Sequence, residues 1–292
     1  MDAETRARYE AWMRRKIFRR LMIPGALLLA LLIVLILGLR SCGNNDEGVQ
    51  EPPYSDETDT GGDAPSDQPV VRTQPTYQDF DFSTYNEDAI VEVDEAWLNA
   101  YEVLVNKVFR LPEAFSPEDL VVPQVMAVWG HPNETQQMRG AAATALEGMF
   151  AVAREDAGLE LWVVSGYRSF ERQIERHQYF VDTYGREAAE NMSARPGHSE
   201  HQTGLAMDVS AASVGALLTE DFSNVPEGVW LRENAHYFGF IIRYPYGRKA
   251  LTGVGYEPWH IRYVGVEAAT YIFENEIVLE QYVFPVPRWD QP

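Results

Sequence analysis

With 292 residues, 46% of them hydrophobic, the chain has the make-up of a globular protein and room for one substantial domain with tails. Its formal charge of −20 is uneven, because residues 1–40 hold eight Lys and Arg against three Asp and Glu and leave the remainder near −25; so acidic a body excludes nucleic acid and anionic membrane surfaces as partners. The single cysteine, Cys42, excludes an intramolecular disulfide and a cysteine-held metal, so any metal site must be built from His, Asp or Glu.

Residues 1–20 form a basic tail that contains Arg6, Arg8, Arg14, Arg15, Lys16, Arg19 and Arg20. Leu21–Leu39 follows with no charge over nineteen residues. At ~1.5 Å per residue that covers most of a ~30 Å hydrocarbon core. The expectation is a single transmembrane helix over 21–39, retained as an anchor because no A-x-A-like cleavage site follows it. The basic tail places the N-terminus in the cytoplasm and everything after Arg40 outside the cell membrane. Residues 40–93, rich in Pro, Gly, Ser, Thr and acids, lack the apolar residues to bury a core and read as a disordered acidic tether. One extracytoplasmic domain over 94–292 completes the order.

Within that domain, AWLNAYEVLVNKVFRL (96–111) is apolar but of undecided type. MRGAAATALEGMFAVAREDAG (138–158) repeats apolar residues three and four apart and closes on a glycine, which predicts a helix. LELWVVSG (159–166) is a β-branched and aromatic run, hence a strand, and the next helix starts with Ser169 as N-cap. GLAMDVS, FGFIIRYP and WHIRYVG predict three more strands, with helices around Pro226–Tyr237 and Val266–Glu276. Helices and strands mix without strict βαβ alternation, so the fold class is α+β, a small mixed sheet with flanking helices.

PGHSEHQTGLAMDV (196–209) places two histidines, a glutamate and an aspartate within fourteen residues, and GYEPWHIRYVG (255–265) adds Glu257 and His260. His201, Asp208 and His260 would make a His2Asp set of the kind that holds catalytic zinc and leaves one position for water. On a straight strand the odd offset between His201 and Asp208 sets them on opposite faces, but Gly204 permits a bend between them. Glu257 is then left over as a carboxylate suited to general-base work. Pro258 argues against a helix here, so this base and ligand must meet in an extended or turn conformation, unlike those of the helical H-E-x-x-H motif. His131, His177 and His236 stand in no such motif, and His198 reads as a loop residue.

The pattern S-x-H-x-x-G-x-A-x-D followed by E-x-W-H, here SEHQTGLAMD and EPWH, resembles the VanY-type zinc D-alanyl-D-alanine carboxypeptidases. The likeness extends to SGYRS (165–169), RYP (243–245), WHIRYVG (259–265) and LEQYV (279–283). It implies a VanY/Hedgehog-like zinc peptidase fold, with zinc held by His201, Asp208 and His260, Glu257 as general base and Arg168 near the substrate. It also implies the D-Ala-D-Ala end of a peptidoglycan stem peptide as substrate and D-alanine as product. Ser199 matches the family serine and is a candidate substrate contact, as is Gln173. From its chemistry alone, the Arg168 guanidinium suits either an oxyanion or a terminal carboxylate.

The resulting expectation is a single-pass, membrane-anchored zinc carboxypeptidase that works on peptidoglycan outside the membrane. Two alternatives stay open. One is an L,D-carboxypeptidase or endopeptidase with the same zinc site. The other is a catalytically silent domain that binds cell-wall peptide, against which the intact Glu257 speaks.

Overall fold

Four strands carry the residues singled out above. They are β1 (Trp162–Ser165), β2 (Ala206–Ser210), β3 (Phe240–Tyr244) and β4 (Glu257–Tyr263), side by side in the order β1-β2-β4-β3. The computed structural model describes residues 81–128 and 133–284. The expected basic tail, transmembrane helix and most of the tether lie outside the described residues, as does His131. Among the described residues no helix is long and apolar enough to cross a membrane.

All three ladders of this sheet are antiparallel, where a mixed sheet was expected. The cause is the position of β4: it separates β2 from β3, which run the same way, and pairs with each from the opposite direction. Among the described residues, parallel pairing is confined to a short ladder of Val91–Glu92 with Phe109–Arg110 and to the Ala127–Val163 bridge. All five residues of β2 are buried, so this strand is covered on both faces and does not alternate as a half-exposed one would.

The helices follow the periodicity. Helix α1 (Gly140–Ala157) buries Ala142, Ala143, Leu146, Met149, Phe150 and Ala153 on one side. Helix α2 (Phe170–Tyr184) begins where the Ser169 hydroxyl accepts from the Arg172 N–H, the expected cap. Short helices α3 (Arg186–Met192) and α4 (Pro226–Asn234) come next, and α5 (Val266–Glu274) and α6 (Leu279–Val283) close the described chain.

The undecided stretch 96–111 is neither helix nor long strand. Val103 to Val108 are all buried, yet their backbone is irregular because side chains take the hydrogen bonds a ladder would use. Arg262 donates to the carbonyls of Tyr101 and Val103, the Asn106 side chain accepts from the Val108 and Phe109 N–H groups, and His198 bonds the Asn106 carbonyl.

The folded domain also begins before Asp94, which corrects the tether boundary of 93. Phe82 is 2% exposed and packs with Leu104, Val108, Ile241, Val264 and Leu279. The stretch looks like tether because its aromatic residues are scattered through DFDFSTYNED without a period. Phe82→Ala is therefore expected to lower the free energy of unfolding by about 3–5 kcal/mol in urea titration. A change within about 0.5 kcal/mol, typical of exposed positions, would return Phe82 to the tether.

Candidate active site

Asp208 on β2 and His260 on β4 are direct partners across the ladder. Their side chains meet, with His260 Nδ1 2.9 Å from Asp208 Oδ1. His201 arrives from a 3-10 turn, Glu200–Thr203, that ends at Gly204 with φ 67°. This is the bend the spacing required. A Cβ at Gly204 would lie 2.8 Å from Leu120 Cδ2, so the turn needs glycine for space as well as for its left-handed backbone. His201 Nε2 then stands 3.4 Å from Asp208 Oδ2, and the three candidate ligand atoms lie within 4.8 Å of one another.

Glu257 precedes His260 by three, which in a regular strand would turn it to the other face. The register shows why it does not. Ile242 pairs with Ile261 and Tyr244 with Glu257, so two steps along β3 match four along β4. The surplus around Pro258 is a bulge that swings Glu257 to the side of His260, with Oε2 3.9 Å from Nδ1.

The protonation pattern at this cluster is informative. His201 Nδ1 lies 2.7 Å from the Gly166 carbonyl, which can only accept, so Nδ1 carries the hydrogen and Nε2 a lone pair. Burial pushes His201 down to about 4, leaving it neutral at neutral pH. Burial alone would raise Asp208, but the imidazoles of His201 and His260 outweigh it and hold the carboxyl well below its usual range. A lone pair and a carboxylate oxygen thus face each other with no hydrogen between them. His260 is pushed up to about 9: burial opposes the charge, and hydrogen bonds to Asp208 and Glu200 overcome it. A divalent cation fits this set of donors: His201, Asp208 and His260 would hold it, and His260 would give up its proton on binding.

The cleft around the cluster has a volume of about 250 Å³ and is lined by Arg168, Ser199, Glu257 and Trp259 besides the three candidate ligands. Arg168 is fastened by neutral groups: Nη2 donates to Ser165 Oγ at 3.2 Å and Nη1 to Gln173 Oε1 at 3.0 Å. Burial lowers its pKa to about 10, so it stays charged. Gln173 itself does not line the cleft. Its amide bonds Arg168, Ser193 Oγ and the Ala194 carbonyl, so it orients the guanidinium.

Residues 135–266 match the VanY family, described as D-alanyl-D-alanine carboxypeptidase. YodJ of Bacillus subtilis (strain 168), named as a carboxypeptidase, is 37% identical over 261 residues, which is 89% of this chain and 95% of YodJ. The chain belongs to the VanY-type carboxypeptidase family. Among solved structures, the LdcB LD-carboxypeptidase is 40% identical with a TM-score of 0.65, covering 70% of this chain and 99% of LdcB. A vancomycin-resistance D,D-pentapeptidase VanY in complex with Zn(II) is 35% identical with a TM-score of 0.52, covering 63% and 98%.

One feature of this VanY-type site was not read from the sequence: the role of Glu200. Its side chain is fully buried, with Oε2 3.3 Å from His260 Nε2, and Oε1 accepts from Arg243 Nε at 2.7 Å and Arg262 Nη1 at 2.6 Å. Burial would raise Glu200, but Arg243 and Arg262 hold it well below the carboxylate range. Arg243 also grips Glu280 by two bonds, of 2.9 and 2.6 Å. The signal was present in RYP, WHIRYVG and LEQYV, segments of the resemblance whose Arg243, Arg262 and Glu280 had been given no role.

Two outcomes follow from this geometry. Zinc binding is expected to release about one proton per ion near neutral pH, since His260 gives up the proton that it otherwise keeps up to about 9. Apparent affinity then rises with pH through that range, and calorimetry in buffers of different ionisation enthalpy reads the proton directly. Glu200→Gln should weaken zinc affinity about 10–100-fold, measured by competition with a chromophoric chelator. An unchanged affinity would mean that Glu200 has no hold on the ligand.

Proposed function

We propose that this VanY-family chain is a zinc-dependent carboxypeptidase that releases the terminal D-alanine of peptidoglycan stem peptides, anchored in the cell membrane by a helix over 21–39. The observation that carries the reading is the convergence of His201, Asp208 and His260 beside Glu257, with Arg168 in the same cleft. When bound, the ion supplies Lewis acidity that acidifies water and polarises a carbonyl. The protein supplies the rest.

Glu257 is the base. Burial pushes its carboxyl up to about 7, with Asp208 and Glu200 adding to the push and His260 opposing it. A nearby dication lowers that value, so the ionised form prevails at neutral pH. Glu257 takes a proton from the attacking water as its oxygen adds to the scissile carbonyl, then delivers that proton to the amide nitrogen as the C–N bond breaks. Arg168, free of any ion pair among the described residues, keeps its full charge for the terminal carboxylate, and Ser199 in the cleft wall is a second contact.

The greater similarity to LdcB, at 40% identity and TM-score 0.65, supports a second reading in which the bond cut is L,D rather than D,D. Both readings use the same groups. D-Alanine release from a pentapeptide ending in D-Ala-D-Ala and from the matching tetrapeptide separates them. Release from the pentapeptide is expected, lost on chelation and restored by zinc. Glu257→Gln should reduce it about 10²–10⁴-fold. Release from the tetrapeptide alone would favour the L,D reading, and release from neither by zinc-loaded protein would favour a peptide-binding domain. The acid limb of kcat/KM should fall below about 7, because the bound cation lowers the Glu257 value.

A further inference from the structure

The same cleft is lined by Lys107, which neither the metal site nor the proposed reaction uses. The residue is only 8% exposed. Its stem runs past Gly253 (φ 75°), where a Cβ would come within 3.2 Å of Lys107 Cδ and 2.2 Å of the Phe82 carbonyl oxygen. Its ammonium lies 5.3 Å from the centroid of the Tyr85 ring and donates to the Ser83 carbonyl at 3.2 Å. That is one bond for a group with three donors.

No carboxylate pairs with Lys107 among the described residues. Its neighbour Arg195 shows the contrast, since Glu190 and Glu87 both bond that guanidinium. Burial lowers the pKa of Lys107 and the nearby Lys249 lowers it further, while Glu190 and Asp81 act the other way without reaching ion-pair distance. A half-desolvated cation with no carboxylate in direct contact disfavours the folded state. The acid on the same wall, Glu190, is bonded to Arg195 instead. Lys107 thus lines the cleft with donors left over for a ligand.

We infer that Lys107 is a specificity-determining contact for a free carboxylate on the acyl side of the peptide substrate. The inference rests on the carboxypeptidase reading for its direction: the leaving D-alanine has one carboxylate, assigned to Arg168, so any second one belongs to the part of the peptide that remains after cleavage. A charge-assisted bond to a half-desolvated ammonium separates a carboxylate from its carboxamide, which has the same shape and no charge.

The test uses the zinc-loaded full-length chain in detergent and two stem peptides that both keep the free terminal carboxylate. One has free carboxylates on the acyl side, and in the other each of these is a carboxamide. Dissociation constants are measured by calorimetry in the Glu257→Gln background, and KM and kcat for D-alanine release in the active chain. The free-acid peptide should bind about tenfold tighter, with the difference in KM and little in kcat. Lys107→Met, which keeps the packed stem, should erase the preference, and Lys107→Arg should retain it. Equal affinity for the two peptides, or a preference that survives Lys107→Met, overturns the inference. D-Alanine release is scored separately: if neither peptide is cut, the carboxypeptidase reading falls, while the ratio of dissociation constants still decides for or against Lys107.

Discussion

The site depends on one buried carboxylate. Glu200 stands between the imidazole of His260 and the guanidinium groups of Arg243 and Arg262, with Glu280 closing the cluster behind Arg243. All four charged side chains of that group are fully buried, two of each sign. Breaking such a cluster by removing one member leaves an uncompensated charge and costs about 3–5 kcal/mol. The cluster joins the turn before β2 to β3, β4 and α6, so one set of ion pairs aligns a metal-ligand candidate and fastens the C-terminal helix to the sheet.

Two breaks in strand register place the chemistry. In β1, Val163 and Ser165 face Val209 and Asp208, two steps against one, just before the chain leads into Gly166 and Arg168. In β4 the bulge at Pro258 brings Glu257 and His260 to one side. A regular sheet would have separated these groups by alternation, so the irregular positions are where the function is assembled.

The cations in and behind the cleft differ in their partners. Arg243 and Arg262 are neutralised by acids within the protein and hold structure. Arg168 is held by a hydroxyl and an amide, and Lys107 by a single carbonyl, so neither spends its charge internally. Neutral anchoring fixes a cation in position and leaves its field for a ligand.

Much was legible in the chain alone. The helices at 140–157 and 170–184 and all four strands of the sheet follow from periodicity, caps and β-branched runs, because those signals are local. The candidate ligands and Glu257 were singled out by residue type and by spacing around Gly204 and Pro258 in two separate stretches, 196–209 and 255–265. Other features needed the tertiary structure. Gln173 supports Arg168 instead of lining the cleft, Phe82 belongs to the core, and the sheet is antiparallel. Glu200 looks like any acid in a loop until Arg243 and Arg262, 43 and 62 residues away, close on it. Sequence determined which groups exist and how local backbone can bend; long-range packing decided which of them lose water together, and only that desolvation turns ordinary acids and bases into a candidate cation site.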